Sequence, residues 1–168
     1  QGGYTAVAAL TARGHRRIGF INNVDPIPAA SGRLEGYRQA LTAAGLPFDP
    51  ALVRAGKSNS DGGRRCAAEL LALPERPTAL FCFNDLMAMG AYDAIKAQGL
   101  RIPEDIAVVG FDNLEIIAEH LHPPLSTVKL PHYKMGEWAI QFVLGLVNTP
   151  TGPIQHMMPC EFVERGST

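Results

Sequence analysis

The chain has 168 residues, of which 46% are hydrophobic and 18% charged, with a formal net charge of −1. That composition belongs to one folded domain or little more, and it excludes a disordered segment. With a charge near zero nothing points to nucleic acid or an anionic membrane as a partner of this segment, and no uninterrupted apolar stretch reaches the ~18 residues of a membrane-spanning helix.

No basic-then-apolar leader opens the chain, which begins at Gln1 and is expected to be a piece of a longer protein. Cys66, Cys82 and Cys160 are odd in number and widely spaced, with no C-x-x-C. They read as reduced, buried thiols of a cytosolic protein rather than as a disulfide or metal set.

Tyr4 to Ala12 is helix-like and precedes the first strand, Arg17 to Asn23. Ser31 to Ala44 reads as a helix closed by Gly45-Leu46, a glycine past the last turn followed by an apolar residue. Leu52 to Ala55 is a short strand. A helix capped by Ser60 or Asp61 runs to about Leu73 and stops before Pro74. Thr78 to Phe83 is the third strand. The next helix, capped by Asn84 or Asp85, ends at Gly99-Leu100 with the same stop, and Asp105 to Gly110 is the fourth strand. Alternation of this kind predicts right-handed crossovers and a doubly wound parallel α/β sheet. His132 to Val147 has its apolar residues at 3, 4, 3, 4 spacing, the pattern of an amphipathic helix. A Pro- and Gly-bearing link, Asn148 to Pro153, leads to a last strand near Ile154 to Phe162.

Each buried strand ends abruptly in polar side chains. Asn22, Asn23 and Asp25 follow the first, with Arg33 in the first turn of the next helix; Lys57, Ser58 and Asn59 follow the second; Asn84 follows the third; Asp112 and Asn113 follow the fourth. In a doubly wound sheet these ends meet on one rim, where ligands bind. A guanidinium donates as a fork to adjacent hydroxyls and a carboxylate accepts from them, so the set suits a polyhydroxylated or otherwise polar small molecule. The same residues have plainer readings. Asn84, Asp85, Asp112 and Asn113 serve equally as helix caps, and Arg33 as a partner of Glu35 or another surface acid.

Catalytic signatures are absent. The chain has no G-x-S-x-G, H-E-x-x-H, phosphate-loop or G-x-G-x-x-G pattern. His120-Leu121-His122 runs directly into Pro123-Pro124 and reads as a surface loop, not a metal site, so no metal or cofactor is expected. The helix from Asn84 to Gln98 is apolar nearly all round. A helix covering a sheet needs one apolar stripe, so a second face implies a second burial partner, either more core or a subunit interface around Met89; the interface is the preferred reading.

Taken in order, these segments resemble the lactose and galactose repressor family of bacterial transcription regulators. The resemblance is carried by Gly14-His15-Arg16-Arg17-Ile18-Gly19, Arg33-Leu34-Glu35-Gly36-Tyr37, Asn84-Asp85-Leu86-Met87-Ala88-Met89-Gly90, Val108-Val109-Gly110-Phe111-Asp112, Pro123-Pro124-Leu125-Ser126-Thr127-Val128 and the ending Arg165-Gly166-Ser167-Thr168. It implies a type I periplasmic-binding-protein-like fold of two lobes with a small-molecule effector in the cleft, a homodimer in the cytoplasm, and operator DNA bound through a headpiece that this chain lacks. It implies that residues 14–130 and 154–168 form the C-terminal lobe, while 1–13 and 131–150 are helices of an N-terminal lobe mostly missing here. By motif, Arg33, Asn84 and Asp112 match effector-binding positions. Ser58 stands where an effector-stacking aromatic is common and Lys57 where an Asp is common, which removes a stacking surface worth about 1 kcal/mol. A periplasmic sugar-binding protein and an enzyme on the same sheet are the other readings; a helix-turn-helix or a signal peptide upstream separates the first of these, and turnover of a bound sugar the second. If the partner lobe is missing, Trp138, Phe142 and Leu146 are expected to pack against residues 1–13 or another copy of the chain.

Overall fold

A computed structural model of the chain describes residues 1–146 and 156–168. The elements are α1 (Gly2–Ala12), β1 (Ile18–Asn23), α2 (Pro28–Ala43), β2 (Val53–Gly56), α3 (Ser60–Leu71), β3 (Ala79–Cys82), α4 (Asp85–Ala97), β4 (Ala107–Asp112), α5 (Glu115–Ala118), β5 (Ser126–Lys129), α6 (His132–Val143) and β6 (Glu161–Val163), with a single 3₁₀ turn at Pro50–Leu52. They form one sheet in the order β2-β1-β3-β4-β5-β6, in which only the β5–β6 pair is antiparallel. The strand order reverses between β1 and β3. This is the point where connecting loops part to opposite faces and leave a crevice at the strands' carboxyl ends.

Two cores flank the sheet. Cys66, Leu70, Met87, Ala91 and Ile95 from α3 and α4 pack on one face with Ile21, Leu80 and Val108. Ala6, Val7 and Leu10 from α1 and Tyr37, Ala40 and Leu41 from α2 pack on the other with Phe20, Phe81 and Val109. Residues 1–13 were expected to belong to a second lobe. Three apolar side chains of α1 within that range, Ala6, Val7 and Leu10, are fully buried in this second core against the sheet and α2.

The expected helix stops are present. Gly45 and Gly99 adopt φ of +67° and +70°, and the amides of Leu46 and Leu100 return to the carbonyls of Leu41 and Ile95. Boundaries differ at other ends. Helix α2 starts at Pro28, a proline suited to the first turn, so Arg33 sits in the second turn rather than the first. Asn59, not Ser60 or Asp61, caps α3. Strand β4 continues through Asp112. Strand β5 and helix α5 were not anticipated.

The second apolar face of α4 has a partner within the chain. Helices α3 and α4 cross so closely that a methyl on Gly63 would meet the Met87 carbonyl and one on Gly90 would meet the Ser60 carbonyl. The apolar circumference of α4 is therefore explained by core. Met89 is left half-buried at its edge, beside the more exposed Leu86.

Helix α6 begins where expected, but it has no buried residue. Trp138 stacks on Phe142 at 5.4 Å and on His156 at 4.9 Å, while Ile140 and Leu146 are 63% and 72% exposed. The expected packing of this face on residues 1–13 does not occur, since α1 is already committed to the sheet. The link at 148–153 lies outside the described residues, and of the last strand only Glu161–Val163 is seen.

Candidate functional site

Arg33 reaches from α2 across the carboxyl end of the sheet at the reversal point. Its guanidinium lies between two aromatic rings, 4.1 Å from the centroid of Phe83 and 3.7 Å from that of Phe111. One nitrogen, Nη1, donates to the Phe83 carbonyl at 2.7 Å, and Nη2 donates to Asp112 Oδ1 at 3.2 Å. The surface pairing with Glu35 is thereby excluded: Glu35 accepts from Gln39. The plates come from strand ends, each Phe standing immediately before the polar residue expected in the site, Asn84 or Asp112.

Asn84 does two things. Its Oδ1 accepts from the Met87 amide and caps α4, while its Nδ2 donates to Ser58 Oγ at 2.7 Å. One side chain thus caps α4 and also ties the end of β3 to the loop after β2. Ser58, Asn84, Arg33 and Asp112 converge, and the Phe83 carbonyl joins the two pairs. Asn22 and Asn23 turn inward to hold the β1–α2 loop, accepting from the amides of Asn23 and Asp25, and Asn22 donates to the Ala30 carbonyl.

Burial dominates the electrostatics. It pushes the Asp112 carboxyl above the usual carboxylate range against the pull of Arg33 and His132, and it lowers the Arg33 guanidinium against the pull of Asp112. Both partners move toward neutrality, so the pair does not fully repay its desolvation. Two bonds use two of the five N–H donors of the guanidinium, and Asp112 stays about a third exposed. A ligand hydroxyl bridging the two would supply hydrogen bonds that water reaches poorly.

The backbone carrying Asp112 is unusual. Asp112 and Asn113 have φ of +102° and +56°. Such left-handed backbone at non-glycine residues costs on the order of 1–3 kcal/mol each and gathers at ligand sites. The turn is clamped twice. Asp85 Oδ2 accepts from the Leu114 amide at 2.6 Å, and Arg165 from the C-terminal segment donates to Asn113 Oδ1 at 2.9 Å and to the Leu125 carbonyl. Neither clamp nor the two rings were anticipated; the repeated Phe before a polar strand end was the readable signal.

Beside Asp112 opens a crevice of about 520 Å³ bounded by Leu114, Ile116, Lys129, Leu130, His132 and Tyr133. It takes in Asp112 but not Arg33, Ser58 or Asn84, so it extends the rim toward α6. Among the described residues no cluster of His, Cys, Asp and Glu has the makings of a metal site, and the three cysteines are free.

Burial raises Asp85 to about 6 from 3.8, opposed by its bonds from Thr127 and Leu114. An acid raised on folding stabilises the fold only while protonated. Its contribution is complete below about pH 4 and is lost as pH rises to about 6. This group alone is expected to withdraw roughly 3 kcal/mol over that interval. Urea denaturation at several pH values checks it: Asp112 adds to the same slope, so the comparison is with Asp85→Asn, whose profile should be flatter there.

Residues 7–168 match the family model of the periplasmic binding protein-like domain. The chain is 39% identical over 166 residues to the HTH-type transcriptional repressor CytR of Escherichia coli (strain K12), covering 98% of this chain and 48% of that protein. It thus spans about half the length of that relative. The fold superposes on a transcriptional regulator CelR–cellobiose complex with a TM-score of 0.88, at 36% identity over 99% of this chain and 51% of that one. It superposes on a sugar-binding LacI-family regulator of Escherichia coli, complexed with phosphate, with a TM-score of 0.90, at 30% identity over 100% and 60% of the two chains. With the reversed strand order and the Arg33 rim already described, the chain belongs to the periplasmic binding protein-like family, in the branch that includes the LacI-family transcription regulators.

Proposed function

We propose that this chain is effector-sensing machinery of a DNA-binding transcription regulator, and that Arg33, Ser58, Asn84 and Asp112 contact a sugar or similar polyol. One observation carries the reading: a guanidinium fixed between two phenyl rings, forked onto a backbone carbonyl and a strained, partly exposed carboxylate. The fork suits neighbouring hydroxyls, which accept from Arg33 and donate to Asp112. With Ser58 at the rim, no ring from that loop stacks on the ligand, so hydroxyl recognition carries the affinity. Nothing in the set is an activated nucleophile or histidine base, which favours binding over catalysis.

In this reading residues 14–130 and 154–168, joined by α1, form one lobe. Helix α6 is the part of the chain that docks on a second lobe, which explains its bare apolar face. Effector held between lobes shifts their relative orientation by its differential affinity for the two arrangements, and by nothing more. The regulator acts in the cytoplasm as a homodimer, with Leu86 and Met89 on the outer edge of α4 in the interface, and reads its operator through a headpiece outside this chain. Among the described residues no helix is long and apolar enough to cross a membrane. The alternative of a periplasmic sugar-uptake protein is not favoured by relatives that are repressors.

The test is calorimetric titration of the full-length regulator, with its second lobe, against cellobiose, ribose and other polyols. Saturable binding that Asp112→Asn weakens by about a hundredfold supports the reading, since one charge-assisted fork is removed. Binding that survives Asp112→Asn unchanged would refute it, and conversion of a bound sugar to product would move the chain to the enzymes.

A further inference from the structure

We infer that Asp85 is a positioning residue for the effector rim: its buried carboxylate holds the Asp112–Asn113 turn in the left-handed backbone that presents Asp112 to Arg33. The inference rests on the reading that this rim is the binding site, and it adds a residue with no ligand contact of its own.

Asp85 is 1% exposed at the first position of α4. Carboxylates are common there because they cap the helix or favour its dipole. Capping is already done by Asn84. The oxygens of Asp85 turn away from the helix instead. Oδ1 accepts from Thr127 Oγ1 on β5 at 2.6 Å and Oδ2 accepts from the Leu114 amide at 2.6 Å. Leu114 directly follows the two residues with positive φ. The carboxylate thus ties the third helical crossover, the β4 exit and β5 together at one point. Room for it exists because residue 110 is glycine: a methyl there would run into Asp85 Oδ1.

The charged state is not there for stability. Burial pushes this carboxyl up to about 6, so the ionised form is the less comfortable one in the fold. The titratable and charged groups that face it are Asp112 on β4 and Arg33 on α2, with the buried Cys82 at the end of β3; β5 contributes the uncharged Thr127. A costly charge with one bond at the exit of the strained turn and another on β5 is accounted for by the turn it pins to the sheet.

The experiment is amide NMR and hydrogen exchange on the chain without ligand, across the range around pH 6. The Leu114 amide should titrate with a midpoint near 6. In Asp85→Asn that titration should vanish. The protection of Leu114 and Asn113 should then fall by about tenfold or more, as for loss of a hydrogen bond to a charged group. The Arg33 Nε–H resonance should shift as Asp112 moves, while Phe20 and Phe81 in the central strands keep their protection. Thr127→Val, which removes one bond to the ionised form in nearly the same shape, should move the Leu114 midpoint upward by about one pH unit. It decides the matter if Asp85→Asn does not fold. Leu114 protection and the Arg33 resonance unchanged in Asp85→Asn, or a midpoint unmoved in Thr127→Val, would overturn the inference. Because these signals are read without ligand, a failure of sugar binding leaves them standing and strikes only the proposed function.

Discussion

Arg33→Met is expected to weaken polyol binding by the full-length regulator at least a hundredfold while changing the stability of this chain by no more than about 1 kcal/mol. Two of the five guanidinium donors are taken by the Phe83 carbonyl and Asp112, which leaves three to give charge-assisted bonds to ligand hydroxyls. Bonds to charged groups are each worth about 1.5–3 kcal/mol, and 1.4 kcal/mol is tenfold in affinity. The stability side is a balance. Removing Arg33 forfeits cation–π contact with two rings and leaves a carbonyl short of a donor. Against that, a buried charge is abolished whose own desolvation outweighs the pull of its partner. Methionine fills the slot between Phe83 and Phe111 with a flexible, polarizable chain that packs well on ring edges. Asp112 is about a third exposed and can be hydrated, which lowers the penalty for losing its partner. Arg33→Lys should lose nearly as much affinity, since an ammonium cannot fork. Calorimetric titration with whichever polyol the wild type binds reads the first quantity and urea denaturation the second. A variant that loses several kcal/mol of stability but binds as before would make Arg33 a brace for the sheet, not a ligand contact.

Much of this site is legible from the sequence because buried parallel strands announce themselves as apolar runs that end in polar side chains. Ile18 to Asn23 and Ala79 to Cys82 are such runs, with Arg33 on the helix after the first and Asn84 directly after the second. What the letters hide is tied to contacts made across the sheet. Strand β5 carries Ser126 and Thr127, both fully buried, and polar residues there read as loop. They are buried because Ser126 bonds Ser167 and Thr168 while Thr127 bonds Asp85, pairings with residues some forty positions away. Arg165 has the same history: its role as a clamp depends on the C-terminal segment passing β4 and β5. The apolar circumference of α4 was visible, but not that α3 covers it, since the close crossing is written in two glycines rather than in hydrophobic side chains. Helix α1 was visible as a helix, while its membership in the core needed the partner surface of α2. For α6 the pattern and the helix agree, but among the described residues nothing buries its stripe.

Gly90→Ala should cost about 3 kcal/mol or more and damage the rim with it. Where α3 and α4 cross, a methyl on Gly90 would overlap the carbonyl of Ser60, and the obstacle is backbone that cannot swing aside. The helices must separate, opening voids among the buried Cys66, Leu70, Met87 and Ala91, and interiors tolerate such voids poorly. Separation also pulls on the first turns of both helices, which present Ser58 through Asn59 and Asn84 through the cap of α4. The Asn84–Ser58 bond at 2.7 Å is the first contact at risk. Helix propensity works the other way, favouring alanine by about 1 kcal/mol, so the packing penalty must exceed the observed loss by that amount. Gly32→Ala measures this opposing term directly. Gly32 lies within α2, exposed, with open space where a Cβ would go, and its substitution should stabilise the chain by about 0.5–1 kcal/mol. One chemical change at two helical glycines is thus expected to have opposite signs, with a difference near 4 kcal/mol in urea denaturation. Equal effects at both positions would mean that α3 and α4 slide apart freely. In that case the crossing is not what holds the two halves of the rim in register.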